Sequence, residues 1–170
     1  MNVRLMAAKI LVEVIREGQS LSTVLPPALE TLTKPSDRSL LQEYCYGVLR
    51  WYFRLEAISG LLLRKSFKSR DADIHYLLLL GLYQIIYMRV PDHAAVNETV
   101  AAVRSLKKNW ASGLVNAVLR SFQRDAETLE AKVDQEDTGD YALYLGADAS
   151  MVVDEVLNSL SLDPAGSDTI

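Results

Sequence analysis

The decapeptide PDHAAVNETV, residues 91–100, sets His93, Asn97 and Glu98 within six positions, the residue types from which an acid–base site is built. On a helix opened by Asp92, His93 and Asn97 stand four apart and share an edge, while Glu98 lies about 100° around the cylinder from Asn97. The three cannot converge from this helix alone. Val96, Val100, Val103 and Leu106 define its buried stripe, with Asn97 at the border. The expected role is architectural: Asn97 satisfies groups at a packing seam and His93 supports the helix start.

The remaining reactive side chains are sparse. Cys45, the one cysteine, sits in EYCYG on a predicted helix with no evident base beside it, so it reads as a small buried side chain. One cysteine forms neither an internal disulfide nor a cysteine-based zinc cage, which fits a reducing compartment. His75 and His93 are the only histidines, too few for a typical metal site. Glycines stand at 18, 47, 60, 81, 113, 139, 146 and 166, and no two make a GxG turn or a phosphate-cradling loop. The sequence therefore assigns no catalytic residue, metal or cofactor to this chain.

Cations are more informative. Arg64, Lys65, Lys68 and Arg70 cluster in LRKSFKSRD around Phe67, and Lys107 and Lys108 precede Asn109 and Trp110 at a second helix junction. Arg4 and Lys9 lie on the first helix. Such loops present cations to a phosphate backbone, with a ring for a base. The same residues also suit a solubilising surface with Phe67 and Trp110 turned into the core, and composition leaves both readings open.

Charge is unevenly placed. Residues 1–132 carry all 18 Lys and Arg against 13 Asp and Glu, a net of +5, whereas 133–170 hold nine acids and no base. A mildly basic body thus precedes an acidic tail, which could compete with phosphates for the basic surface. At 170 residues the chain suits one domain with a substantial core. Charged residues interrupt the first 18 positions, and the longest apolar run, 74–88, is shorter than the roughly 20 residues of a membrane span. A cytoplasmic protein with no membrane partner is expected.

Helical spacing dominates 1–132 and no strand-like alternation is sustained, so the fold class is all-α, with six or seven helices around a central apolar one. In the first helix Lys9, Glu13, Arg16 and Glu17 share one arc, leaving Val3, Leu5, Ala8, Leu11, Val12 and Ile15 for burial, and Gly18 ends it. Ser20 caps a second helix that Pro26 and Pro27 should kink or start. Ser36, after Pro35, caps a long helical region that breaks between Gly47 and Arg54. The central helix starts at Asp71 or Asp73 and is closed by Pro91. Asp92 caps the next, to about Lys107, and the last starts near Ser112-Gly113 and runs to Arg124 or a little beyond. Past 133 the periodicity fades, with small ordered pieces expected at 141–145 and 151–160 in an otherwise weakly structured tail.

Four segments occur in order: QSLSTVLPPALE, LLQEYCYGVLRWYFRLE, IHYLLLLGLYQIIYMRVPDHAAVNETV and GLVNAVLRSFQR. Together, across about 3–124, they resemble the NusB-like N-terminal domain of the bacterial 16S rRNA cytosine-C5 methyltransferase B family, the Sun or Fmu type. The resemblance implies a NusB-like helical fold and binding of a ribosomal RNA hairpin. It further implies, in full-length members, a following catalytic domain that uses S-adenosylmethionine. Asn97 and Asn116 fall in its VNE and VNAVLR segments, and the first helix, here with Arg4 and Lys9, would belong to the RNA-facing side. This chain lacks the glycine-bearing cofactor loop and the cysteines in Pro-Cys and Thr-Cys contexts that the catalytic domain needs. The expectation is therefore a noncatalytic RNA-binding domain, 1–132, of such an enzyme, followed by an acidic tail, 133–170, of no assigned role. Two alternatives stand beside it: a NusB-type transcription antitermination factor that binds RNA and a ribosomal protein, and a protein-interaction scaffold without RNA.

Overall fold

The structure is a computed structural model that describes residues 2–135. Seven α-helices follow one another: α1 (Val3–Leu11), α2 (Leu21–Glu30), α3 (Pro35–Arg50), α4 (Tyr52–Leu62), α5 (Ala72–Tyr87), α6 (Asp92–Ser105) and α7 (Trp110–Gln135). No strand occurs among the described residues. The axis of the bundle is α5, whose Ile74, Leu77, Leu78, Leu79, Leu80 and Leu82 are completely buried. An all-apolar helix needs neighbours on every side, and α1, α3, α4, α6 and α7 all pack on it. No described helix is long and apolar enough to cross a membrane.

Most element boundaries follow local chemistry. Asn2 caps α1 by accepting from the Arg4 and Leu5 amides, and the helix widens into a π turn over Val12–Arg16 before Gly18 reverses the chain at φ +71°. Lys9, Arg16 and Glu17 are exposed as expected, but Met6, Ala7, Ile10 and Val14 join the buried side. The long second region breaks at Trp51, whose ring stacks on Tyr87 with centroids 4.6 Å apart. Cys45 is fully buried, and burial raises its thiol pKa, so the inert reading holds.

Four local expectations are corrected. Helix α2 does not start at Pro26 and Pro27: it begins at Leu21 and carries both prolines inside, while Leu21, Leu25 and Leu29 hold it against the core. The carbonyls deprived of partners belong to solvent-exposed Ser22 and Thr23. Pro35 opens α3 as its first residue, after Lys34, so Ser36 lies inside the helix. Pro91, expected to close the central helix, instead precedes α6, making Asp92 the first helical residue; α5 already ends at Tyr87. Helix α7 begins at Trp110 and continues past a break at Asp125 (φ −116°) to Gln135, with Val133 buried, well past the helix end expected near Arg124. The pieces expected at 141–145 and 151–160, and most of the acidic tail, lie outside the described residues.

Candidate nucleic-acid interface

The two basic junctions meet at one end of the bundle. Between α4 and α5 the chain runs through the cationic connector and a short 3₁₀ turn, Ser69–Asp71. The α6–α7 turn carries Lys107, at φ +59°, and Lys108. Lys108 Nζ donates to Asp73 Oδ1 at 2.9 Å and to the Arg70 carbonyl at 2.8 Å, and lies 3.1 Å from Asp71 Oδ1. Burial opposes the charge on Lys108, but hydrogen bonds to Asp73 and Asp71 outweigh it and raise the ammonium's pKa. Lys108 is thus a staple whose charge is already satisfied, holding one basic loop against the other.

Around that staple the other cations remain outward. Arg64, Lys65, Lys68 and Lys107 are exposed, and Arg70 is 76% exposed, with a loose 3.8 Å approach to Asp71. Arg16, absent from the cations singled out above, donates to the Ser69 hydroxyl and so brings the end of α1 to the same place. Its signal was the seven-residue interval from Lys9, and both are exposed, Lys9 on α1 and Arg16 at the end of the π turn that follows it. Phe67 turns inward against the core and stacks on His75 at 5.4 Å, which in turn stacks on Tyr76 and meets Glu56 of α4. Trp110 does the opposite and is 59% exposed. Each reading of the aromatics therefore holds for one of them.

Arg4 is not part of this end. Its Nε and Nη2 donate to Gln84 Oε1 at 3.1 and 2.8 Å, its Nη1 lies 3.7 Å from Glu98, and its guanidinium sits 5.6 Å from the Tyr44 ring. Gln84 is completely buried and passes the network on, donating through Nε2 to Thr99 Oγ1 and the Leu80 carbonyl, each at 3.1 Å. Thr99, not Asn97, is the polar link at the α5–α6 seam; Asn97 is exposed, which corrects the seam role expected of it, and His93 is exposed in the first turn of α6. Asn116 is half-buried on α7. His93, Asn97 and Glu98 assemble no acid–base site.

Sequence reasoning also missed a longer signal. From Thr99 to Arg124 there is no acid, while Arg104, Lys107, Lys108, Arg120 and Arg124 supply five cations. The signal in the sequence is this run without Asp or Glu, whose cations are too widely spaced to form a local cluster like that of the connector.

The described residues do not fit a methyl-donor cofactor. Gly47 and Gly81, the buried glycines, serve close helix packing: a Cβ on Gly47 would collide with the Tyr83 ring, and one on Gly81 would stand 2.9 Å from Leu119. No described group of three or more His, Cys, Asp or Glu residues is placed to hold a metal ion.

Comparison with known proteins agrees with this architecture. Residues 1–124 match the family described as the NusB family. The chain is 50% identical over 141 residues to a protein of Vibrio cholerae named ribosomal RNA small subunit methyltransferase B. That match covers 83% of this chain and 32% of the relative. Proteins of the same name from Pseudomonas syringae pv. tomato and Shigella boydii serotype 18 are 50% identical over 129 residues and 43% over 136. These matches cover 76% and 80% of this chain, and 29% and 32% of the relatives. The chain thus spans about a third of the length of the relatives it matches. With the match running across nearly every helix of an all-α bundle, this chain belongs to the NusB family.

Proposed function

We propose that this chain is the RNA-binding helical domain of a small-subunit rRNA methyltransferase, and that it positions a 16S rRNA hairpin for cytosine methylation by a separate catalytic domain. S-adenosylmethionine would be bound by that other domain. The carrying observation is the Lys108 staple, which consumes one cation and two carboxylates to hold two basic connectors side by side. The outward set is Arg16, Arg64, Lys65, Lys68, Arg70 and Lys107, and Asp71 and Asp73, the two acids of the connector's end, are both paired with Lys108. Phosphates are the ligands such an array suits, because guanidinium and ammonium groups on loops contact backbone oxygens without reading sequence. The relatives' names, ribosomal RNA small subunit methyltransferase B, support the choice of RNA.

The test is a filter-binding titration of the chain with hairpins tiled from 16S rRNA at two salt concentrations. One or more hairpins should bind, with affinity falling steeply as salt rises. Replacing Arg64, Lys65, Lys68 and Arg70 together by Ala should weaken binding and flatten the salt slope by about 0.7 to 0.9 per lost phosphate contact. Binding that is absent at low salt, or unchanged in the fourfold variant, would defeat the assignment.

A further inference from the structure

Among the described residues, one face of α7 is left bare by the bundle. Its inner side packs on α4, α5 and α6 through Ala111, Val115, Val118, Leu119 and Phe122. The opposite stripe, Trp110, Gly113, Leu114, Ala117, Arg120 and Arg124, follows helical spacing and is exposed at every position. Trp110 and Leu114 are the largest apolar side chains there, 59% and 38% exposed. A methyl group added at Gly113 would meet nothing within 4 Å beyond its own stretch of helix, so a ligand can approach the helix backbone closely beside the indole.

Charge identifies the occupant. A helix face that mated with another protein's apolar surface would have no use for an absence of acids, yet the stripe bears only neutral and cationic side chains until Asp125. Its apolar end adjoins Lys107 and the stapled connectors; its far end carries Arg120 and Arg124, about 15 to 21 Å along the axis from Trp110. An aromatic platform next to spaced cations matches an unpaired nucleotide run, with a base on the ring and phosphates on the guanidinium groups. Duplex RNA does not offer that base, because its rings are stacked inside the helix.

We propose that the outer face of α7 binds a single-stranded segment of RNA, with Trp110 as the stacking platform, Leu114 as its flank, and Arg120 and Arg124 as phosphate contacts. This rests on the RNA-binding reading above and specifies the state of the RNA: unpaired nucleotides lie beside the hairpin that the bundle end holds.

The two tryptophans make the test direct. In the full chain labelled with 5-fluorotryptophan, two fluorine resonances are expected, and Trp110→Phe identifies the exposed one. An oligouridylate should shift the Trp110 resonance and leave that of Trp51, stacked on Tyr87, in place; the same oligonucleotide paired with its complement should not. Trp110→Ala should weaken oligouridylate binding by at least about fivefold. Arg120→Ala with Arg124→Ala should weaken it with a smaller salt slope. A still Trp110 resonance at saturation, or wild-type affinity in Trp110→Ala, would overturn the proposal. So would a Trp110 shift that follows protein concentration without RNA, which would make a second copy the occupant. If Trp110→Ala leaves hairpin and oligouridylate binding intact while the fourfold connector variant loses hairpin binding, only this inference falls. The reverse pattern removes the bundle-end site and keeps the α7 face, and failure of every RNA to bind removes both.

Discussion

Arg4 and Gln84, 80 residues apart in the chain, share a forked hydrogen bond in which two guanidinium nitrogens converge on one amide oxygen at 3.1 and 2.8 Å. The bond ties the first helix to the last turn of the central one. Gln84 has no water contact of its own, so its polar atoms depend on Arg4, Thr99, Leu80 and, at a long 3.5 Å, Tyr44. The family resemblance implies an RNA-facing first helix; in the fold, the Arg4 side chain is 15% exposed and bonded across to the central helix.

Replacing Arg4 by Ala should therefore cost stability, about 1–3 kcal/mol from orphaning a buried amide oxygen. The midpoint of urea denaturation reads this. Arg4→Lys should recover only part, since a single ammonium does not reproduce the fork. RNA affinity per folded molecule should stay at the wild-type level; a variant of normal stability with impaired RNA binding would return Arg4 to the interface.

The architecture was legible where a property is carried by one helix at a time. Successive leucines in α5 demanded burial on all sides, and Gly18 and the 47–54 window marked real breaks because backbone conformation is local. What stayed hidden depends on pairs distant in sequence. Asn97 sits only a step around α6 from buried Val96, yet Thr99 faces Gln84; the choice is made by the rotation of α6 on α5, which periodicity fixes only loosely. Lys108 looked like one more exposed cation because its carboxylate partners lie 35 and 37 positions earlier. The place of Arg16 at this end is not visible in the sequence because its partner, Ser69, lies 53 positions further on.

Lys108→Met should loosen both basic connectors together. Asp71, 6% exposed, would retain only the 3.8 Å approach of Arg70. A loss of about 1–2 kcal/mol is expected for removing hydrogen bonds to charged groups at a partly buried site. Amide hydrogen exchange should rise in 64–71 and in 106–110; a change confined to one segment would show that the staple does not couple them. The lysine's pKa is raised on folding, so its contribution is complete below the unfolded value, near pH 10.4, and disappears only as pH climbs through the folded one. At neutral pH the staple is closed.

Gly47→Ala tests the packing that lets α3 lie against α5. The added methyl would enter the Tyr83 ring, which is 4% exposed and has little room to retreat. Overpacking of this sort costs about 1–3 kcal/mol, more than the small gain alanine brings to a helix interior. The thermal midpoint should fall, and Tyr83→Leu in the same chain should restore part of the loss by removing the ring. A Gly47→Ala protein as stable as the parent would mean that α3 and α5 are farther apart than described.

The end of α7 is held by a different device with its own pH signature. Arg54 of α4 donates to Asp134 through Nε at 2.9 Å and Nη2 at 3.0 Å, to Glu130 at 3.0 Å and to the Tyr87 hydroxyl at 2.9 Å. The hydrogen bond from Arg54 lowers the pKa of Asp134 against a small opposing effect of burial. A carboxylate depressed on folding contributes stability that is present above its unfolded pKa, about 3.9, and is lost as pH falls through the folded value. Arg54→Met should lower the urea midpoint at pH 7 and expose the second part of α7, residues 126–135, to amide exchange. The gap between the two proteins should hold from neutral pH to about pH 5 and shrink on further acidification as the carboxylates protonate. A gap that is constant down to pH 2 would mean that Arg54 acts through its aliphatic stem and its contact with Tyr87, with the two acids as bystanders.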